Sequence, residues 1–363
     1  MSQQATNQPV IANHTIVDTD VHLSWLPDRE DLLPYVDEPH ASRLRVKKYP
    51  LARKDGHDRT MGGKIDLPRV DTPADMNEVL CHEFGVDHPL VNPTSGLPGV
   101  PVADLAVSLA TAYNEWMLDN VLDEYDHFYG LGGIATQKPA KAAEELDRLG
   151  DEKQIVGAYI RTSGPNLPLG DPAYDVMYQA AEDNGLHIGY HGGATDFLND
   201  FSKQYQTLDS FLEVHSLAHP WSQMLTLMHI IFQGVPEKFP DLNFLFMEAG
   251  IGWAAYMIGR LNEEYAKRRS EAPLLERSPE EYIRESCYFT QQALEEFHDP
   301  EHLKLLIDIV GPENIMFSTD YPHWEFDHPS ALDSLFQRYY DRSDWEKILS
   351  KNAINAFEMP IST

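Results

Sequence analysis

The run Thr15-Ile16-Val17-Asp18-Thr19-Asp20-Val21-His22 puts carboxylates and an imidazole at the end of a short β-branched segment. In a strand, alternate side chains share a face, so Asp18, Asp20 and His22 point the same way. Acids and a histidine at the mouth of a buried strand are costly without compensation, and a divalent metal is the usual compensation. Four later apolar segments end in similar groups. Arg161 follows 155–160, His191 precedes Gly192-Gly193, Glu248 follows Phe246-Met247, and Asp320 follows Phe317-Ser318-Thr319. Two imidazoles with two or three carboxylates suit Zn²⁺ or Mn²⁺.

Each residue also has an ordinary structural reading. Asp20 could cap a turn, His22 could be a satisfied core histidine, and Asp320 before Tyr321-Pro322 could be turn chemistry. Glu248 could bind metal, act as acid or base, or hold a neighbouring histidine. Arg161 could clamp a substrate or form a structural ion pair. His215 and His219 would share a face if helical. Pro220 disfavours helix at His219, which places the pair in a loop, as acid/base or substrate contact.

The elements that must position these groups alternate. Strands are expected at 128–135, 155–160, 187–191, 243–247, 287–290 and 315–318. Helices follow them at 139–149, 171–184, 220–232, 253–268, 300–310 and 331–340. Asp171 caps one helix, Pro172 sits just inside it and Gly185 ends it. Repeated β-α alternation implies parallel strands with right-handed crossovers. With Ile16-Val17 as the first strand the total approaches eight, which predicts a (β/α)8 TIM-type barrel with its site at the C-terminal strand ends. No Gly-rich dinucleotide fingerprint follows the first strand. The chain reads as a single barrel domain over 1–363, with a Pro-, Asp- and Arg-rich insertion at about 26–102 folding over the mouth as a lid or subunit contact. A second strand belongs near its end or just beyond it, at no definable position. The stretch 105–125 reads as helical and 345–357 as a closing helix.

Composition narrows the partners. The 363 residues hold 58 Asp and Glu against 28 Lys and Arg, a formal charge of −30, which repels nucleic acid and anionic membranes. A carboxylate-rich surface also suits high salt, so a halophilic source is expected. Two cysteines, Cys81 and Cys287, exclude a disulfide framework and fit a reducing cytoplasm. No secretory signal is expected in 1–14, and no apolar run is long enough for a transmembrane helix.

Four segments, in order, resemble the amidohydrolase-related family, in the branch of aminocarboxymuconate-semialdehyde decarboxylase and other metal-dependent decarboxylases and hydrolases. They are Val17-Asp18-Thr19-Asp20-Val21-His22, the stretch from Pro172 to His191-Gly192-Gly193, Phe239-Pro240-Asp241-Leu242, and Ser318-Thr319-Asp320-Tyr321-Pro322-His323. The family commonly shows His-x-His after the first strand, where this chain has Asp20-Val21-His22. It often has a histidine at the sixth strand end, where this chain has Glu248. The resemblance implies one divalent metal, Zn²⁺ before Mn²⁺, held by Asp20, His22, His191 and Asp320. It also implies a homodimer.

The leading expectation is a hydrolase of a small cyclic or aromatic acid derivative. A metal-activated water would attack, Asp320 would accept its proton, and Glu248 or His219 would assist. Arg161, His215 and His323 are the expected substrate contacts. The alternative is non-oxidative decarboxylation of an aromatic or unsaturated acid, with Arg161 or the lid arginines Arg43 and Arg45 as cationic clamp. A non-catalytic binding barrel is the third reading. An aromatic mouth is expected from Trp221, Trp253, Tyr321 and Trp324.

Overall fold

A computed structural model describes residues 14–361 except 24, 26, 47–69, 94–96, 98–99, 101, 165–166 and 194–206. Its eight strands are β1 (Val17–His22), β2 (His88–Asn92), β3 (Tyr129–Gly133), β4 (Ile155–Arg161), β5 (His187–His191), β6 (Phe244–Met247), β7 (Cys287–Thr290) and β8 (Ile315–Met316). They pair in chain order and in parallel. The Thr19 amide donates to Phe317 O at 3.0 Å and Val21 bridges Tyr321, bringing the eighth strand's extension back against the first. This is the expected (β/α)8 barrel.

Helices α1 (Arg29–Leu32), α2 (His40–Val46) and α3 (Pro73–Met76) lie between β1 and β2, and α4 (Ala103–Met117) follows β2. Next come α5 (Pro139–Leu149), α6 (Asp175–Asp183), α7 (Phe211–Phe232) and α8 (Val235–Lys238). The remaining helices are α9 (Gly252–Arg268), α10 (Pro279–Ser286), α11 (Pro300–Val310), α12 (Asp333–Tyr339), α13 (Arg342–Glu346) and α14 (Asn352–Ala356). Most are amphipathic: α5 buries Ala142, Ala143, Leu146 and Leu149 at helical spacing while its other face stays wet.

Inside the barrel, Val17, Leu90, Leu131, Tyr159, Leu245, Met247 and Met316 fill the lower layers. Ile354, Phe357 and Met359, from α14 and the chain after it, join that cluster. Apolar packing therefore occupies the interior below the mouth, and the polar strand ends are left for chemistry.

β2 lies near the end of the stretch read as insertion, where a second strand is expected without a definable position, so the long connection runs from β1 to His88 and a second runs from Asn92 to α4. Part of the expected lid, 47–69, falls outside the described residues. Two expectations change. β8 ends at Met316 rather than Ser318 because side chains replace the ladder there. Gln291 Oε1 accepts from the Ser318 amide at 3.0 Å, and Asp18 Oδ1 accepts from the Thr319 amide at 3.0 Å. Finally, His215 and His219 sit within α7, not a loop. A capping box between Ser210 and Glu213 fixes the first turn, and Ala218, His219, Ser222 and Gln223 around Pro220 are buried. Tertiary packing outweighs the local cost of the proline.

Candidate active site and metal centre

Every strand-end residue singled out in the sequence reaches the barrel mouth. β1 delivers Asp20 and His22, β5 delivers His191, and the residues just past β6 and β8 are Glu248 and Asp320. All five are buried. His22 Nε2 lies 3.0 Å from Asp20 Oδ1, 3.3 Å from Asp320 Oδ1 and 3.3 Å from His191 Nε2. His191 Nε2 lies 2.7 Å from Glu248 Oε2. His191 Nδ1 is 2.6 Å from Gly192 O, so that nitrogen donates to the carbonyl and Nε2 carries the lone pair facing the centre.

Glu248 and Asp320 have φ values of 55° and 58°. Left-handed backbone is costly for residues with a Cβ and is retained where surrounding contacts impose it. Here the Glu248 amide donates to Thr290 Oγ1 at 3.0 Å, and both side chains turn inward.

Burial raises the Asp20 carboxyl above its ordinary value, opposed by His191 and by the Asn92 amide. Burial drives Glu248 well above the carboxylate range, helped by Glu325 and Asp20. Burial lowers His191 and, with neighbouring positive charge, holds His219 well below its usual value. Neutral imidazoles with inward nitrogens are what a metal ligand requires. Asp20 Oδ2 is buried with no hydrogen-bond partner. Asp20, His22, His191 and Glu248 each present a ligand atom within 4.8 Å of the others, as do His22, Glu248, Asp320 and His323. Crowded carboxylates, paired lone pairs and an orphaned oxygen fit a divalent cation.

The surrounding residues are equally specific. Arg161, paired in register with His191, is buried with Nη1 3.5 Å from Tyr159 Oη. A Cβ on Gly193 would fall 1.8 Å from Arg161 Nη2, and one on Gly192 would fall 2.9 Å from His219 Nδ1. The Gly-Gly pair therefore makes room for the guanidinium and for α7. His323 Nδ1 is in a short contact with Asp320 Oδ1, and its ring lies 4.3 Å from that of His22. His215 Nε2 pairs with Glu325 Oε1 at 2.8 Å.

Sequence reasoning missed Asn92, whose Nδ2 donates to Asp20 Oδ1 at 2.7 Å, along with Gln292 and Glu325. Asn92 ends a strand that could not be placed, and the other two lie in loops without periodicity. The expected aromatic mouth is largely corrected. Trp221 is 47% exposed on α7, Trp253 packs behind β6 and β7 on Phe246 and Phe289, and Tyr321 packs on Phe84 and Phe326. Trp324 packs on a site residue, His215, at 5.2 Å between rings, and the Tyr321 carbonyl accepts from the His22 amide at 2.6 Å. Arg45 is paired with Glu38 on the exposed surface at 2.7 Å.

The amidohydrolase family model matches residues 17–358. The chain belongs to the amidohydrolase family. A 2-amino-3-carboxymuconate-6-semialdehyde decarboxylase of Dictyostelium discoideum is 26% identical over 218 residues, which cover 60% of this chain and 57% of that one. The chain thus spans little more than half the length of that relative. A gamma-resorcylate decarboxylase of Rhodococcus jostii is 24% identical, covering 72% of this chain and 79% of that protein. Among solved structures, 5-carboxyvanillate decarboxylase from Sphingomonas paucimobilis superposes with a TM-score of 0.71 at 21% identity, over 95% of this chain and 99% of that one. A dihydroxybenzoic acid decarboxylase from Polaromonas sp. JS666, with bound manganese and the inhibitor 2-nitroresorcinol, gives 0.68 at 17% identity over 96% and 98%.

These names overturn the expectation that this amidohydrolase is a hydrolase and favour the alternative. Both reactions draw on nearly the same metal ligands, so residue types at the strand ends do not separate them; in the structure Asp320 is in contact with the His323 imidazole. The chain is an enzyme of the amidohydrolase fold with a buried cluster able to hold a metal ion. No helix among the described residues is long and apolar enough to cross a membrane.

Proposed function

We propose that the protein is a metal-dependent, non-oxidative decarboxylase of an aromatic or unsaturated carboxylic acid. The observation that carries this reading is the decarboxylase identity of relatives found both by sequence and by structure. Asp20, His22, His191 and Glu248 would hold the metal, with Asp320 beside His22, and Mn²⁺ is favoured over Zn²⁺ by the carboxylate-rich donor set and by the manganese in the Polaromonas structure. When bound, a divalent cation supplies Lewis-acid polarisation of the substrate's oxygens.

The chain's own residues do the rest. Arg161 binds the substrate anion beside His191, and its burial strengthens that pairing. The Asp320–His323 pair delivers the proton that replaces the carboxylate on carbon, so that R–COO⁻ and H⁺ become R–H and CO₂. Asn92 orients Asp20 and the Gly192 carbonyl orients His191, which fixes both before substrate arrives. A small-molecule acid is the partner, the protein works in the cytoplasm, and its assembly is a homodimer.

The test is a panel of hydroxybenzoates and carboxylated phenols incubated with Mn²⁺-loaded protein, with CO₂ release followed directly. Turnover of at least one phenolic acid with stoichiometric CO₂ supports the reading. Cleavage of esters, lactones or amides without CO₂ refutes it.

A further inference from the structure

Glu248 spends only one carboxylate oxygen on the centre described above. Oε2 contacts His191, while Oε1 turns the other way and lies 3.5 Å from His219 Nε2. Beyond His219 stand His215 and Glu325. The two histidines are four residues apart on α7, so their rings share a face, with centroids 5.1 Å apart. His215 Nε2 meets Glu325 Oε1 at 2.8 Å. The Glu325 carboxylate is also in hydrogen-bonding contact with that of Glu248. Two imidazoles from α7, one carboxylate beyond β6 and one beyond β8 therefore converge on one point.

The convergence is tight. His215, His219 and Glu248 each offer a ligand atom within 4.8 Å of the other two. His219 is 5% exposed, and its Nδ1 is without a hydrogen-bond partner. Nδ1 backs onto Gly192, which leaves Nε2 as the nitrogen that faces the cluster. Glu325 and His215 form the rim, with side chains 13% and 15% exposed, so the cluster opens toward solvent there.

Charge supplies an independent argument. Two carboxylates in contact away from water repel each other unless a proton or a cation sits between them. Asp20, Glu248, Asp320 and Glu325 bring four potential negative charges to one mouth. A single divalent cation cancels two of them and Arg161 one more. In metal-free protein His215 pairs with Glu325 and offsets the rest; a second divalent cation would take over that role and leave Arg161 for the substrate anion.

We propose that His215, His219, Glu248 and Glu325 form a second divalent-cation site, joined to the first through the Glu248 carboxylate. Two nitrogens and two oxygens suit Zn²⁺, with Mn²⁺ the next candidate. The i, i+4 histidines on one helical face are a favourable chelating pair. The proposal goes beyond the decarboxylase reading and does not rest on it, because bound metal is counted whatever reaction the protein performs.

The experiment uses the full chain, stripped with chelator, titrated with Zn²⁺ and analysed for metal per chain after desalting. Two equivalents are expected for the wild type and one for the His215→Ala/His219→Ala double variant. In Mn²⁺-loaded protein, an exchange-coupled EPR signal is expected that becomes an isolated-ion signal in the double variant. One equivalent in the wild type overturns the proposal, as do two equivalents that the double variant retains. If circular dichroism shows the double variant unfolded, Glu325→Gln at the rim decides. It should weaken the second equivalent by at least about tenfold and leave the first unchanged. Equal affinities in Glu325→Gln and wild type overturn the site. Loss of CO₂ release with two metals bound would refute the decarboxylase reading alone.

Discussion

At His191 a single ring nitrogen connects the fold to the chemistry. Nδ1 is held by the Gly192 carbonyl, and Nε2 is left to face His22, Asp20 and Glu248. His191→Ala should therefore lose first-site metal and about two orders of magnitude or more in turnover, with the far-ultraviolet circular dichroism retained. Wild-type metal content in that variant would remove His191 from the ligand set. Asp320→Asn keeps the shape but not the proton exchange with His323. Its kcat should fall about 10²- to 10⁴-fold with a smaller change in KM. Unchanged kcat would take Asp320 out of proton transfer. Gly193 shows how much a missing side chain matters. A Cβ there would collide with Arg161 Nη2, so Gly193→Ala should cost about 1–3 kcal/mol of stability and raise KM for an acid substrate. A variant with wild-type melting temperature and KM would show that Arg161 has room to move aside. Asp20, His22, His191, Glu248 and Asp320 were legible in the sequence because each ends an apolar strand. Asn92 and Glu325 were not, since an amide and a loop carboxylate carry no periodic signature.

At the scale of elements, strands β5 and β7 and helix α11 coincide with the sequence expectation, because apolar runs and caps bound them sharply. Asp299 caps α11 by accepting from the Glu301 amide, and Pro300 opens the helix. β2 is expected but has no definable position in the sequence because it begins His88-Pro89, and a proline argues against a sheet interior. The first half of α7 escaped because Pro220 reads as a break, whereas buried neighbours and the Gln223 side chain bonded to Met247 O hold the helix against β6. The His215–Glu325 pair ties α7 to the loop after β8. Burial pulls the His215 imidazole down, but the Glu325 carboxylate outweighs it and the net shift is upward from 6.5. A histidine whose folded value is raised contributes stability below its unfolded value and loses it as pH climbs through the folded one. In metal-free protein, the wild type should therefore gain more melting temperature over Glu325→Gln at about pH 6 than at about pH 9. A difference that grows with pH would contradict the pairing.

For the molecule as a whole, the barrel and its functional face were readable from β-α alternation, while the reaction was not. Hydrolysis and decarboxylation ask for nearly the same ligands, so residue types and spacing alone do not separate them. The charge of −30 acts at this scale too. Surface cations such as Arg260, Lys267 and Lys138 are already paired with carboxylates, so the remaining acids repel one another. Raising KCl from about 0.1 M to about 1 M shortens the screening length from about 10 Å to about 3 Å and should raise the melting temperature. An unchanged or lower melting temperature would argue against adaptation to high salt.

The central claim is that this mouth replaces a carboxylate with a proton and adds no water to its substrate. The direct measurement is mass analysis of product formed from a phenolic acid by metal-loaded protein, in D₂O and separately in H₂¹⁸O. The account predicts one deuterium on the carbon that lost CO₂ and no ¹⁸O in the organic product. An ¹⁸O-labelled organic product with its carboxylate intact would contradict it.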